Sequence, residues 1–169
     1  RGVKMELSDF LLELEELVLL ESPTSDLAAN KKVINLAASI LKKHLPNHGI
    51  NIENVQDRPL LHLGSAKSKI LFLTHLDTVW PVGSFEPVWK VEGDKIFAPG
   101  IFDMKAGFLQ VVYAISQLEK SGLDTSQISI LVTTDEETGS FTTRELIKDL
   151  SSKAKAVLIL ESALDGAVK

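Results

Sequence analysis

Four short segments of this chain carry side chains able to act together on one substrate: His75-Leu76-Asp77, Asp103, Asp135-Glu136-Glu137 and Glu161. A neutral imidazole is a good ligand for zinc. It binds better when its other ring nitrogen donates to a carboxylate that fixes the tautomer, and Asp77 lies two residues from His75. The alternative for His75 is a loop side chain that caps a backbone group. Asp103 lies close to the start of a predicted helix, where an ordinary N-cap explains it well. Its functional alternative is a carboxylate that bridges two cations, one on each oxygen, so that the two charges offset its burial. The acidic run at 135–137 has a solvated surface as its simple explanation. An adjacent pair of carboxylates also suits divided labour, one holding a metal while its neighbour takes a proton from water. Glu161 repeats the pattern of an acid directly after an apolar run, and alone it would signify little.

The elements that must position these groups follow from periodicity. Residues 8–20 read as a helix capped by Ser8, with Phe10, Leu11, Leu14, Leu17 and Val18 at helical spacing. Ser22-Pro23-Thr24-Ser25 breaks it, and a second helix spans about 26–45, with Val33, Leu36, Ala37, Ile40 and Leu41 on one face. Residues 50–55 alternate as a half-buried strand does, and 60–63 is a further strand candidate. The apolar run 69–74 predicts a central strand covered on both faces, with 128–134 and 156–160 as the second and third central strands. A hairpin is expected at 89–92 and 95–98 about Gly93-Asp94, and helices at 104–120 and 142–150. Apolar strands alternating with helices indicate an α/β layered sheet, its central strands parallel and helices on both faces. Ligand sites in such sheets gather outside the carboxyl ends of the strands. His75, Glu136-Glu137 and Glu161 each follow such a strand, and Asp103 sits in a loop opening onto a helix. Four independent solvated groups do not explain that common placement, which favours a hydrolytic metal site.

Composition narrows the chemistry. The 169 residues include no cysteine, so any metal is held by His, Asp or Glu rather than by thiolate. Basic residues number 18 against 23 acidic ones, a net charge of −5, which argues against a nucleic-acid surface. No apolar run approaches the roughly 20 residues that a membrane span needs. The first ten residues carry charge at Arg1, Lys4, Glu6 and Asp9 without an apolar stretch, which reads as a cytoplasmic protein.

Three ordered motifs are familiar. They are Thr74-His75-Leu76-Asp77-Thr78-Val79-Trp80-Pro81-Val82-Gly83, then Ala98-Pro99-Gly100-Ile101-Phe102-Asp103-Met104-Lys105-Ala106-Gly107, then Thr134-Asp135-Glu136-Glu137-Thr138-Gly139-Ser140. Their order and spacing resemble the two-zinc metallopeptidase family of glutamate carboxypeptidase, acetylornithine deacetylase and succinyl-diaminopimelate desuccinylase, with the glutamate carboxypeptidase branch the nearest in form. The resemblance runs from about residue 5 to the end of the chain. It implies that His75, Asp103 and Glu161 hold one zinc and that Asp103 and Glu137 share in a second. Asp77 would orient His75. Glu136 would be the general base for a water activated between the metals, and the bond between Asp103 and Met104 would be cis. The implied reaction is hydrolysis of an amide bond in a small peptide or N-acyl amino acid. Cobalt or manganese is compatible with the same ligand set.

The same resemblance implies that residues 1–169 are a partial catalytic domain. A smaller domain used for dimerisation of the parent protein, and the remainder of the catalytic domain with a distal histidine for the second zinc, would lie outside it. None of His44, His48 and His62 replaces that histidine: the first two are expected to be solvated at a helix end, and His62 to be a strand side chain. The isolated chain is therefore expected to be inactive. A related two-zinc aminopeptidase, or a metal-binding or interaction module without catalysis, are the other readings.

Overall fold

A computed structural model describes residues 7–162 of the protein. The chain order is α1 (Leu7–Leu19), α2 (Leu27–His44), β1 (Ile50–Val55), β2 (Arg58–Leu63), β3 (Ile70–His75), β4 (Lys90–Glu92), β5 (Lys95–Phe97), α3 (Ala106–Lys120), β6 (Ile128–Thr133), α4 (Arg144–Lys153) and β7 (Ala156–Ile159). The main sheet has the order β1-β2-β6-β3-β7, and β4 and β5 form a separate hairpin. Strands β6, β3 and β7 run parallel, with Ile70 opposite Ile128 on one side and Ala156 on the other. Strands β1 and β2 are antiparallel additions on the β6 side, so the sheet is mixed.

Side-chain alternation divides each inner strand between two cores. Leu61 and Leu63 of β2 and Ile130 and Val132 of β6 face α1, α2 and α3, joining Leu14, Leu17, Val33, Leu41, Phe108 and Val112. Leu60, Leu71 and Leu131 point the other way, against Leu146, Ile147 and Leu150 of α4. Helices thus cover both faces, as the alternating pattern predicted. Among the described residues no helix is long and apolar enough to cross a membrane.

Several boundaries differ from expectation. Helix α1 already includes Leu7, so Ser8 lies within its first turn and is not the cap. Asp26 does cap α2, accepting from the Ala29 amide at 2.9 Å. Strand β1 is mostly exposed rather than half-buried, because it lies at the sheet edge with only β2 beside it. Strand β7 is the outer neighbour of β3 and not a central strand; its four residues are exposed. Regular helix begins at Ala106 in place of 104, since the backbone at Asp103 and Met104 leaves helical geometry. Helix α4 is displaced toward the C-terminus, to 144–153, because Asp135 organises the turn before it.

The three histidines outside the motifs are all structural, and two of them are not solvated as expected. His44 Nε2 lies 2.9 Å from the buried Glu13 carboxylate, which also accepts from Lys43 Nζ at 2.7 Å and Tyr113 Oη at 2.9 Å. Burial alone would raise the Glu13 carboxyl. These donors outweigh it and hold the group below its usual range, pinning α1, α2 and α3 together. His48 pairs with Glu119 and Thr125.

His62 is buried on β2 as a strand side chain, and its Nε2 has no hydrogen-bond partner among the described residues. Burial depresses this imidazole below the usual histidine value of about 6.5, against a weaker opposite pull from Glu53. The native state thus holds it neutral while the unfolded chain protonates it, so stability from this site falls as pH drops below about 6.5. The urea midpoint of the wild type is expected to fall more between about pH 7 and about pH 5 than that of His62→Leu. Equal losses in the two proteins would exclude His62 as the source.

Candidate metal centre

The parallel strands β3, β6 and β7 end on one edge, and each leads into an acid or histidine. His75 closes β3 and is almost wholly buried. Its Nδ1 points back toward Asp77, 3.2 Å from the main-chain oxygen and 3.4 Å from Oδ1. Its Nε2 therefore faces the remaining acids, 3.1 Å from Asp103 Oδ1 and 3.7 Å from Glu136 Oε2. His75, Asp103 and Glu161 each offer one donor atom, and these atoms lie within 4.8 Å of one another. A neutral nitrogen and two carboxylate oxygens at that separation fit a divalent ion, and zinc accepts such a set. Burial alone would depress the His75 imidazole. Asp77 first, then Glu136 and Asp103, reverse this and raise it to about 9, a measure of how strongly the cluster attracts positive charge.

Asp103 reaches the cluster because its backbone is not helical. It sits in a turn, 101–105, with φ −130 and ψ 96, followed by a cis bond to Met104, as the motif resemblance implied. Lys105, quoted above only as part of that motif, anchors the turn. Its side chain is fully buried and donates from Nζ to the Leu17 carbonyl at 3.0 Å, one of the free carbonyls in the last turn of α1. Burial pulls this ammonium down to about 7, against Glu21 and Asp77. Two glycines allow the close packing that follows. A methyl on Gly100 would strike the Thr78 side chain, and one on Gly107 would strike the Leu160 carbonyl, the residue before Glu161. Gly107 thus lets the start of α3 approach the strand end bearing Glu161, and Gly100 lets the turn bearing Asp103 close on the β3 loop.

The acidic run at 135–137 separates into two jobs. Asp135 is buried and accepts from the Thr142 and Thr143 amides and from the Thr143 hydroxyl at 2.6 Å, so it caps the approach to α4. Glu136 and Glu137 form a short helical turn closed by Gly139 at φ 92, which directs their carboxylates outward. Burial raises both carboxyls, with His75 opposing it and the surrounding acids adding to it. Glu136 borders a cavity of about 240 Å³ shared with His75, Glu161, Arg144 and Ile159. Glu137 does not join the triad; it lines a separate cavity of about 300 Å³ with Thr24, Thr78 and Pro81.

Asp77 joins the two halves. It is fully buried and accepts from the Glu136 amide at 3.3 Å and the Glu137 amide at 3.2 Å, besides its contact with His75. Periodicity and motif spacing missed Thr24, whose hydroxyl donates to Asp77 at 2.7 Å. The only sequence signal there was the break after α1.

The model of peptidase family M20/M25/M40 matches residues 71–167, more than half of the chain. Over 163 residues the chain is 32% identical to carboxypeptidase G2 of a Pseudomonas species, an overlap of 90% of this chain and 38% of that protein. It is 31% identical over 99 residues to succinyl-diaminopimelate desuccinylase of Gluconobacter oxydans, covering 55% of this chain and 26% of the relative. Its fold matches an M20 family metallo-carboxypeptidase from Sulfolobus solfataricus with a TM-score of 0.73 at 24% identity, over 95% of this chain and 38% of that one. The chain therefore spans well under half the length of these relatives.

Proposed function

Because this chain belongs to peptidase family M20/M25/M40, we propose that it supplies the metal-binding part of an enzyme that hydrolyses an amide bond in a small peptide or an N-acyl amino acid. The observation that carries this reading is the meeting of His75, Asp103 and Glu161 within 4.8 Å at the carboxyl edge of the parallel strands. On this reading those three residues hold one divalent ion, zinc or, with the same donors, cobalt or manganese. Asp103 and Glu137 would contribute to a second ion, with a further donor from the length of the relatives that this chain does not span. When bound, the ions would polarise the scissile carbonyl and make the attacking water more acidic.

The protein's own groups would do the rest. Glu136 would accept the proton of that water on Oε2 and return it to the leaving nitrogen. Its 3.7 Å approach to His75 Nε2 puts it beside the ligand cluster and supports that role. A carboxyl raised by burial holds a proton more readily than a free one, which suits a group that must receive and release it. Asp77 would keep His75 in the tautomer that presents Nε2. The products would be a carboxylate and an amine.

The complete protein is expected to cleave members of a panel of dipeptides and N-acyl amino acids, to stop when treated with a chelator, and to recover with zinc. A complete protein that binds no divalent ion would overturn the reading. It would also overturn the carboxypeptidase or deacylase assignment if only substrates with a free amino terminus and a blocked carboxylate were cleaved. The 169-residue chain alone, supplied with zinc, is expected to show little or no turnover, since its second site has only Asp103 and Glu137. Robust hydrolysis by that chain would contradict the two-site scheme.

A further inference from the structure

The segment between α1 and α2 does more than break a helix. Residues 22–24 run alongside the loop after β3, with Thr78 donating to the Ser22 carbonyl at 2.9 Å and Thr24 donating to the Thr78 carbonyl at 3.1 Å. The Ser22 hydroxyl reaches the Leu76 carbonyl, so the loop that carries Asp77 is held on both sides of that residue. The Thr24 carbonyl is fixed in turn by two side chains from other elements, Asn30 Nδ2 of α2 at 3.2 Å and Arg58 Nη1 of β2. Arg58 also donates to the Thr134 carbonyl at 3.0 Å, directly before the Asp135-Glu136-Glu137 turn. Thr24, Asn30 and Asp77 are all buried.

A carboxylate offers about four acceptor positions. At Asp77 the Glu136 amide approaches Oδ1 and the Glu137 amide and the Thr24 hydroxyl approach Oδ2, while His75 Nδ1, hydrogen-bonded to the Asp77 main-chain oxygen, lies 3.4 Å from Oδ1. The Thr24 bond, at 2.7 Å, is shorter than the other three, which span 3.2 to 3.4 Å. Three of these contacts join Asp77 to ligand-bearing or base-bearing residues. The fourth joins it to a backbone locked by α2, β2 and the β3 loop. That fourth contact is the shortest hold on the carboxylate, and the carboxylate stands beside the imidazole.

We propose that Thr24 is a positioning residue for the metal centre, its hydroxyl holding Asp77 in the orientation that aims His75 Nε2 at the ion. The proposal rests on the reading of His75, Asp103 and Glu161 as ligands. Outer partners of metal-bound histidines typically change affinity by 10- to 100-fold when removed. Thr24 acts one bond further out, so the lower end of that range is expected.

The test uses Zn²⁺ alone, titrated into the 169-residue chain against a chromophoric chelator, with thermal melts in excess chelator beside it. Thr24→Val keeps the shape and every main-chain clamp but removes the donor; about tenfold weaker zinc binding is expected. Thr24→Ala, which adds no methyl in place of the hydroxyl, is expected to match it. Thr24→Ser restores the donor and is expected to bind within roughly threefold of the wild type. The Co²⁺-loaded Val variant is expected to show a shifted visible spectrum, which a change confined to the stability of the fold would not produce. Wild-type affinity in the Val and Ala variants would overturn this proposal and leave the ligand assignment standing. A Ser variant as weak as Val would also overturn it, since restoring the donor would then fail to restore binding. A wild-type chain that binds no zinc would overturn both this proposal and the ligand assignment.

Discussion

Glu136→Gln is expected to lower kcat of the complete protein by about 10²–10⁴-fold while leaving its zinc content unchanged. The substitution preserves the size and planarity of the side chain and its approach to His75 Nε2, but the amide cannot accept a proton. It removes no member of the triad of His75, Asp103 and Glu161. KM should change little, because the group is asked to act on the water and not to grip the substrate. A separation of kcat from metal content is therefore the signature of a base. Loss of zinc in step with activity would instead make Glu136 a ligand, and unchanged kcat would remove it from the chemistry. Asp103→Asn provides the contrast, since weakening a triad member should reduce both quantities together.

Asp77→Ala is expected to destabilise the fold by about 3–5 kcal/mol, the range for removing one member of a buried charged network. The carboxylate is fully buried, and its loss strands the Glu136 and Glu137 amides without an acceptor and leaves the Thr24 hydroxyl only the Thr78 carbonyl at 3.5 Å. Each stranded donor costs about 1–3 kcal/mol where water cannot reach it, and relaxation of the turn limits their sum. Burial would raise the Asp77 carboxyl, but His75 and Thr24 outweigh it and hold the group below its usual range, so the site is built around the anion. For a chain of this size the loss corresponds to a fall in Tm of roughly 6–20 °C. Asp77→Asn should fold better than the Ala variant, since its amide oxygen still accepts, yet bind zinc more weakly than the wild type. A melting temperature for Asp77→Ala within a degree or two of the wild type would show that the network carries little of the stability.

The two predictions differ in how early their residues come into view. Glu136 stands in a run of three acids after an apolar strand, and strand-end logic finds it without coordinates. That logic also treats Asp135 as an equal of its neighbours. Only the folded chain turns Asp135 inward to cap the approach to α4 and leaves Glu136 and Glu137 facing out. What separates them is the set of partners that only folding supplies, the Thr142 and Thr143 amides and the Thr143 hydroxyl that hold Asp135. The helices α1 and α2 were legible because a 3.6-residue apolar stripe must face a core. The ranks and burial of β1 and β7 were not, since both depend on which strands lie beside them, and local periodicity does not specify that. His44 illustrates the same limit: its partner Glu13 is 31 residues away, and no local pattern joins them.

By itself the sequence determined the α/β class, the strand ends that carry His75, Glu136-Glu137 and Glu161, and, through three ordered motifs, the family. These depend on residue type and short spacing, which the chain carries locally. Tertiary structure alone decided which donors meet. It brought Asp103 to His75 across 28 residues by a non-helical turn anchored through Lys105. It kept Glu137 out of the first triad, and it brought Thr24 to Asp77 from 53 residues away. Contacts of that range depend on the packing of α1, α2 and the sheet edge, a property of the whole core that no segment contains.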